Sequence, residues 1–426
     1  MLLISMIGLF ALLFLGVPVA AAMGLASLLA IVIAGDQPLF HVIKFVVIGL
    51  DSFPLLAAPF FILAGEFMSK GGIARRIVRL SDTLVGFVRG GLGMVDVTAS
   101  MIFAGVSGSA VADTSAIGSL MIPQLIEKNY PRGFAAALNA CAGSIGQIIP
   151  PSMIMIIYGS IANESIARLF LGGMIPGILI GLSFMLVVFV FATRWGWKGT
   201  GFLALREIWV ALKEATWAII MPIIVLGGIM FGVFTATEAG IVAAVYGFCV
   251  GLFVYKELNW KNIREAFVSS AIVTGFVMFM IASAGLISYI FTMEHVAEKL
   301  AAYLLVMSQD RNVILLVILA AILVIGTALE MLPMLVIMVP VLVPIARQLG
   351  FDPIHFGVLI CIANVMGGVS PPAGALIFIT MGIAKVGMTE LNKYIWYFIG
   401  AMTIVMVLCV FFPGLVTYFP NLTFAK

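Results

Sequence analysis

From residue 2 to residue 416 the chain passes through one apolar stretch after another, each long enough to cross a bilayer as a helix of about 20 residues. Eight read as plain spans, at roughly 2–17, 18–34, 42–69, 166–193, 216–234, 237–254, 266–290 and 394–416. Four others, 94–127, 134–163, 312–346 and 356–384, are interrupted near their middles by Gly, Pro, Ser or Thr. Each of these is too long for one straight span or too interrupted for a uniform helix. Of the 426 residues 63% are hydrophobic and only 10% charged, where a soluble domain carries about 25%. Mean hydropathy is +1.24. Such a chain cannot clothe a water-soluble surface, so soluble enzymes, nucleic-acid binders and disordered proteins are excluded. A net charge of +3 is too small to call for an acidic partner.

Neither targeting nor cysteine chemistry adds much. The first basic residue is Lys44, too late for the n-region of a signal peptide, so the apolar start is expected to be a retained membrane helix. Cys141, Cys249, Cys361 and Cys409 lie inside apolar stretches without metal or disulfide spacing. They read as small packing residues.

The scarce charges set the topology. If 94–127 is a re-entrant hairpin that returns to the side it left, 16 of the 22 Lys and Arg fall on one face. They come from the loops 70–90, 194–213 and 256–264, with Lys128, Arg132, Lys385 and Lys393. The positive-inside rule makes that face cytoplasmic and puts the N-terminus on the other side. Were 94–127 a crossing span, the asymmetry would largely collapse. The segments 72–88 and 200–214 are short, basic and amphipathic, as interfacial helices are.

The two halves repeat. Gln147-Ile148-Ile149-Pro150-Pro151 matches Gly368-Val369-Ser370-Pro371-Pro372 at an offset of 221, and Pro123 matches Pro344 at the same offset. Ala64-Gly65 matches Ala284-Gly285 at 220. The charge map opens the first hairpin to the cytoplasm and the second to the outside, so the repeats are inverted. The expected fold is an all-α polytopic membrane protein of two inverted repeats. Each holds a re-entrant helical hairpin and a Pro-Pro-broken helix, the architecture of secondary transporters.

Chemistry is expected at the interruptions. Gly105-Val106-Ser107-Gly108-Ser109, followed by Asp113 and Thr114, sits in the middle of an apolar run. A carboxylate at that depth costs at least about 2.5 kcal/mol, and irregular backbone there must be buried in protein or line a cavity. Ser, Thr and Asp oxygens suit Na+ or another small hard cation. The competing reading is a small-residue packing face with an incidental Asp. The Pro150-Pro151 break removes two backbone donors and frees upstream carbonyls, while the following half-helix turns its positive end towards an anion. A simple proline kink is the alternative, weakened by the second copy at Pro371-Pro372. The second hairpin tip places Thr327 and Glu330 in a similar setting. Asn139 and Asn364 precede the two Pro-Pro breaks and suit either a ligand contact or polar glue between helices. Glu238, after Thr235 and Thr237, reads as part of a helix N-terminus.

An enzyme is not expected. Gly105-Val106-Ser107-Gly108 fits the Gly-x-Ser-Gly of intramembrane serine proteases, but His41, His295 and His355 all map near the outer face, out of reach of Ser107. No nucleotide-binding motif is present, so ATP on this chain does not drive transport.

At these residues the chain resembles the large membrane subunit of tripartite ATP-independent periplasmic (TRAP) transporters. The resemblance covers nearly the whole chain. It rests on Ser52-Phe53-Pro54-Leu55, Pro59 through Glu66, Gly71 through Arg76, the Ser107–Asp113 tip, Phe234 through Ala239, Asp352 through Gly357, and Ser370 through Gly374. It implies an elevator-type Na+ symporter for organic acids such as C4-dicarboxylates or sialic acid, in a bacterial inner membrane. It also implies two separate partners, a small four-helix membrane (Q) subunit and a periplasmic substrate-binding (P) protein. Na+ is the coupling ion; no other metal or cofactor is expected. Glu330 stands where many relatives have Asp.

Residues 1–93 and 166–311 are then expected as scaffold with interfacial helices, 94–165 and 312–390 as the moving domain, and 391–426 as a C-terminal helix. The first Na+ site would use Ser107, Ser109 and Asp113 with carbonyls near Gly146, Ile149 and Pro151. The second would use Thr327, Glu330 and Met331 with carbonyls near Gly367, Ser370 and Pro372. The substrate carboxylate would lie near Ser109, Asn139, Ser152, Asn364 and Ala373. A stand-alone Na+/divalent-anion symporter without a binding protein is the alternative within transport.

Overall fold

The computed structural model describes residues 1–35, 39–199, 205–372 and 374–424, and among these every regular element is a helix. The first half runs α1 (Leu2–Phe14), α2 (Val19–Ala34), α3 (Leu39–Leu50), a 3-10 turn at Phe53–Leu56, α4 (Ala57–Lys70) and α5 (Ile73–Val85). It continues with α6 (Gly91–Ser107), α7 (Ala110–Glu127), α8 (Arg132–Ser144), α9 (Met153–Ala162) and α10 (Ile166–Trp195). The second half has α11 (Leu205–Met230), α12 (Ala236–Cys249), α13 (Trp260–Met293), α14 (Val296–Met307) and α15 (Arg311–Gly326). It ends with α16 (Met331–Gln348), α17 (Pro353–Gly368), α18 (Ala375–Ala384), α19 (Met388–Phe411) and α20 (Gly414–Phe424). Among the described residues seven helices are long and apolar enough to cross a membrane, with seven shorter apolar helices beside them.

Each of the four interrupted stretches is a pair of helices with a break where the sequence places one. Between α6 and α7 the break is Gly108, at φ +64°, a left-handed conformation that favours glycine. Ser109 then caps α7, accepting a hydrogen bond from the Ala112 amide at 3.4 Å. Between α8 and α9 the chain passes through a 3-10 turn at Ile145–Gln147 and the prolines, and Ser152 caps α9. The helices α6 to α10 begin 220 to 222 residues before α15 to α19, so the repeat suggested by three sequence anchors extends over five successive elements.

Packing separates the helices into two groups. Helices α1 to α4 pack with α12 and α13, with α11 on α12, and α6 to α10 pack with α15 to α20; α4 against α6 and α13 against α16 are direct contacts between the groups. Helix α5 joins the groups through α6 and α11, and α14 does so through α13 and α16. The arms α6 and α7 lie side by side. In the second hairpin α15 packs chiefly on α17, while α16 packs on α9, α13, α14 and α17. Each second arm also meets the other repeat's half-helix, α7 against α18 and α16 against α9.

The structure departs from the sequence expectations in two places. The stretch 42–69 is two helices, not one span, because Pro54 lacks an N–H and disfavours helical backbone in the residue before it. An interfacial helix over 200–214 is not found: 205–214 is the start of the long α11, and 200–204 lie outside the described residues. Helix α10 packs on α6, α9, α17, α19 and α20, and α19 packs on α8. Aromatic contacts explain this, since Phe134 of α8 touches Phe191 of α10 and Phe398 of α19, with ring centroids 5.2 and 5.7 Å apart.

Candidate functional site

The first break gathers polar groups that the surrounding protein leaves unpaired. Asp113 sits in the first turn of α7, fully buried, and neither carboxylate oxygen has a hydrogen-bond partner. The positive end of α7 favours its charge. Across from it lies Gly146, where a Cβ would collide with Asp113 Oδ2. Thr114 Oγ1 is also buried and unpaired, and Gly143 of α8 leaves it room in the same way. Gln147 Oε1 is a further orphan at this break. Four unpaired oxygens of three side chains therefore surround the 3-10 turn, and buried polar atoms of this kind call for a ligand or water.

The tip itself is locked to the Pro-Pro segment. The Met153 amide donates to the Gly108 carbonyl at 3.1 Å, and a Cβ on Gly108 would stand 2.8 Å from the Pro151 carbonyl oxygen. Ser107 is buried, its hydroxyl accepting from the Ser109 amide at 3.4 Å, and its carbonyl abuts Gly65 of α4, where a Cβ would stand 2.8 Å away. Thus Ser107, Ser109, Asp113, Gly146 and Pro151 come together. Ile149 instead packs against Gly177 of α10.

The second break is built differently. Glu330 is the N-cap residue of α16, exposed and without a side-chain hydrogen bond to the helix. At the repeat offset its counterpart is Ser109, whereas the counterpart of Asp113 is Met334. The two acids occupy matched breaks but not matched positions. Thr327 is half-buried and donates to the Val324 carbonyl at 2.8 Å within its own helix. Met331 is buried and its carbonyl accepts from Asn364 Nδ2 at 2.9 Å. Gly326 and Gly367 approach so closely that a Cβ on either would stand 2.7 Å from the other's Cα. Ser370 is buried and donates to the Met366 carbonyl at 2.7 Å, while Pro372 is exposed. Met331, Gly367, Ser370 and Asn364 are therefore gathered; Thr327, Glu330 and Pro372 face outward from that packing.

The five residues expected around a substrate carboxylate divide. Ser109 and Ser152 are helix caps beside the first break, and Ser152 also donates to the Gln147 carbonyl at 2.5 Å. Asn364 belongs to the second break. Asn139 turns away from the tip, donating to Asp96 Oδ1 of α6 at 2.9 Å. Ala373 lies outside the described residues. Thr114 and Gln147 stand out in the sequence only as parts of the two motifs, not among the expected ion ligands, and Asp96 and Ser100 do not stand out in any motif. Asp96 was visible as an acid inside the 94–127 run. Glu238 fulfils its expected role in a capping box with Thr235.

Comparison with known proteins sets this geometry in a family. The family model described as "Tripartite ATP-independent periplasmic transporter, DctM component" matches residues 6–415. The isethionate TRAP transporter permease protein DctMQ of Oleidesulfovibrio alaskensis is 39% identical over 405 residues, covering 95% of this chain. The present chain spans 64% of that relative's length. The C4-dicarboxylate TRAP transporter large permease protein DctM of Vibrio cholerae is 35% identical over 428 residues, covering 96% of this chain and 94% of its own. The sialic acid TRAP transporter permease protein SiaT of Haemophilus influenzae is 36% identical over 409 residues, covering 96% of this chain and 66% of its own. Among solved structures the Alcanivorax borkumensis YdaH transporter shares the fold, with a TM-score of 0.60 at 16% identity over 89% of this chain and 90% of that one.

Proposed function

We propose a function from one premise: the chain belongs to the DctM component family of tripartite ATP-independent periplasmic transporters. It is a large permease subunit, a multi-pass membrane protein and not an enzyme. On our reading it carries an organic acid anion across the inner membrane, drawing on a Na+ gradient, with its N-terminus on the periplasmic side. Isethionate, C4-dicarboxylates and sialic acid, for which three relatives are named, mark the substrate class. A small membrane subunit and a periplasmic binding protein complete the transporter.

The observation that carries Na+ coupling is the Asp113 carboxylate, fully buried with both oxygens unpaired beside the broken α8–α9 helix. A bare carboxylate in such a place is costly, so it is occupied by a cation during the cycle. Na+ bound there neutralises the break and lets the substrate anion approach the half-helix N-termini. The substrate carboxylate is held between the two tips. At the second tip the Gly367 and Ser370 backbone, with Met331, holds the second Na+, and Thr327 and Glu330 close on it as the hairpin moves.

The elevator reading draws support from an asymmetry between the hairpins. Helix α16 is covered by α13 of the other packing group and by the linking helix α14. On α7, by contrast, Val111, Ser115 and Ser119 are exposed, and a cavity of about 340 Å³ lies between α7 and the α4–α5 corner, lined also by Ser69, Lys70 and Arg75. With the basic loops inside, that cavity opens to the cytoplasm, as in an inward-facing state. The inverted repeat supplies the outward-facing state by exchanging the roles of α7 and α16.

Reconstitution tests this reading. The chain would be placed in liposomes with its small subunit, and uptake of a labelled organic acid followed under an inward Na+ gradient. We expect uptake that needs the binding protein and collapses when a Na+ ionophore removes the gradient. Equal uptake without Na+ would refute Na+ coupling, and full uptake without a binding protein would identify a stand-alone symporter.

A further inference from the structure

We propose that Asp96, Ser100 and Asn139 form a further cation site, one helical turn beyond the first helix break, that takes one small monovalent cation. The proposal rests on the transport reading above. Asp96 and Ser100 lie one turn apart on α6, Asn139 lies on α8, and all three are 0% exposed. The Asn139 amide nitrogen donates to Asp96 Oδ1 at 2.9 Å. That bond ties α8 to α6 and leaves three buried oxygens without a partner: Asp96 Oδ2, Ser100 Oγ and Asn139 Oδ1. Neighbouring hydroxyls return to their own helices, Thr98 to the Met94 carbonyl and Ser144 to the Cys141 carbonyl, at 2.9 and 2.6 Å. Ser100 does not. Gly118 of α7 closes the site, since a Cβ there would overlap Asn139 Oδ1.

The donor set defines the ligand. Three hard oxygens, one of them from a carboxylate, suit a single monovalent cation, Na+ or a proton, rather than a soft metal. No group of three or more His, Cys, Asp or Glu is found among the described residues, so a polyvalent metal lacks the ligands it needs. Among the described ion pairs none involves Asp96, so no Lys or Arg neutralises it. A carboxylate removed from water without a counter-charge must take up a cation or a proton.

Comparison between the repeats shows that the fold does not need these polar groups. At the offset of 221 their counterparts are Val317, Ala321 and Ile360, and α15 and α17 pack together without them. The site adjoins the first break: Asn139 and Gly118 lie one turn from Gly143 and Thr114, and the Asp113 carboxylate of α7 is close enough to act on Asp96 electrostatically. The tip residue Ser107 is 11 residues further along α6, about 16 Å along the helix axis.

The test is equilibrium binding of radioactive Na+ to the purified complex, with the pH profile of uptake measured in parallel. Asp96→Asn keeps the shape and the Asn139 contact region but removes the charge. We expect it to bind one Na+ fewer per chain, which identifies Na+ as the occupant. An unchanged Na+ count with a flattened pH profile identifies the proton at the same carboxylate. Asp96→Asn that retains both the count and the profile overturns the site. Should Asp96→Asn fold poorly, Ser100→Ala keeps the charge and is expected to weaken the cation at this site by roughly tenfold; unchanged binding and pH profile would again overturn it. Wild-type protein that binds no Na+ would strike the proposed function itself, whereas wild-type binding untouched by either variant strikes only this site.

Discussion

Asp113 Oδ2 occupies the space that a side chain on Gly146 would fill. The carboxylate of α7 and the bare backbone of the broken α8–α9 helix therefore meet without an intervening group. This contact joins the first hairpin to its Pro-Pro segment and carries the proposed coupling ion.

Gly146→Ala follows directly. The added methyl would overpack the contact by about 1–3 kcal/mol. Expressed as lost Na+ affinity, that is roughly tenfold to a hundredfold. The check is the Na+ concentration that gives half-maximal uptake in proteoliposomes. An unshifted half-maximal concentration at equal incorporation would show that Asp113 and Gly146 do not hold the ion.

Labelling tests the proposed conformation. Ser115 on α7 is exposed, while its repeat counterpart Val336 on α16 is 1% exposed. In the absence of a Na+ gradient, Ser115→Cys should react with a membrane-impermeant maleimide added from the cytoplasmic side, and Val336→Cys should stay protected. Fast labelling of Val336→Cys from the outside, with Ser115→Cys protected, would reverse the assignment.

Phe134 tests the packing groups. It is fully buried on α8 and meets rings of α10 and α19, including Phe191, Tyr394 and Phe398. Phe134→Ala should cost about 3–5 kcal/mol and lower the melting temperature of the purified protein in a thermal-shift measurement. A melting temperature equal to wild type would mean that α10 and α19 are not held to the broken helices through this cluster.

Much of the fold was legible because breaks in apolar helices need particular residues. Gly108 at positive φ, the capping Ser109 and Ser152, and the two Pro-Pro pairs all mark their places locally. Pro54 carried the same kind of signal within 42–69, but the apolar run around it hid the break. Contacts between helices distant in sequence were not legible. Nothing local says that Asn139 turns to Asp96, 43 residues earlier, rather than to the tip, or that α10 sides with α17 and α19. Likewise, two acids near two tips looked alike in sequence, yet Glu330 is an exposed cap residue and Asp113 a buried one a turn further on.

The central claim is that Asp113 binds the ion that drives transport. Its most direct test is Na+-gradient-driven uptake by proteoliposomes carrying Asp113→Ala, with incorporation and melting temperature checked against wild type. The account predicts that uptake falls to background while the folded protein remains. Full Na+-dependent uptake by Asp113→Ala at equal incorporation would contradict it.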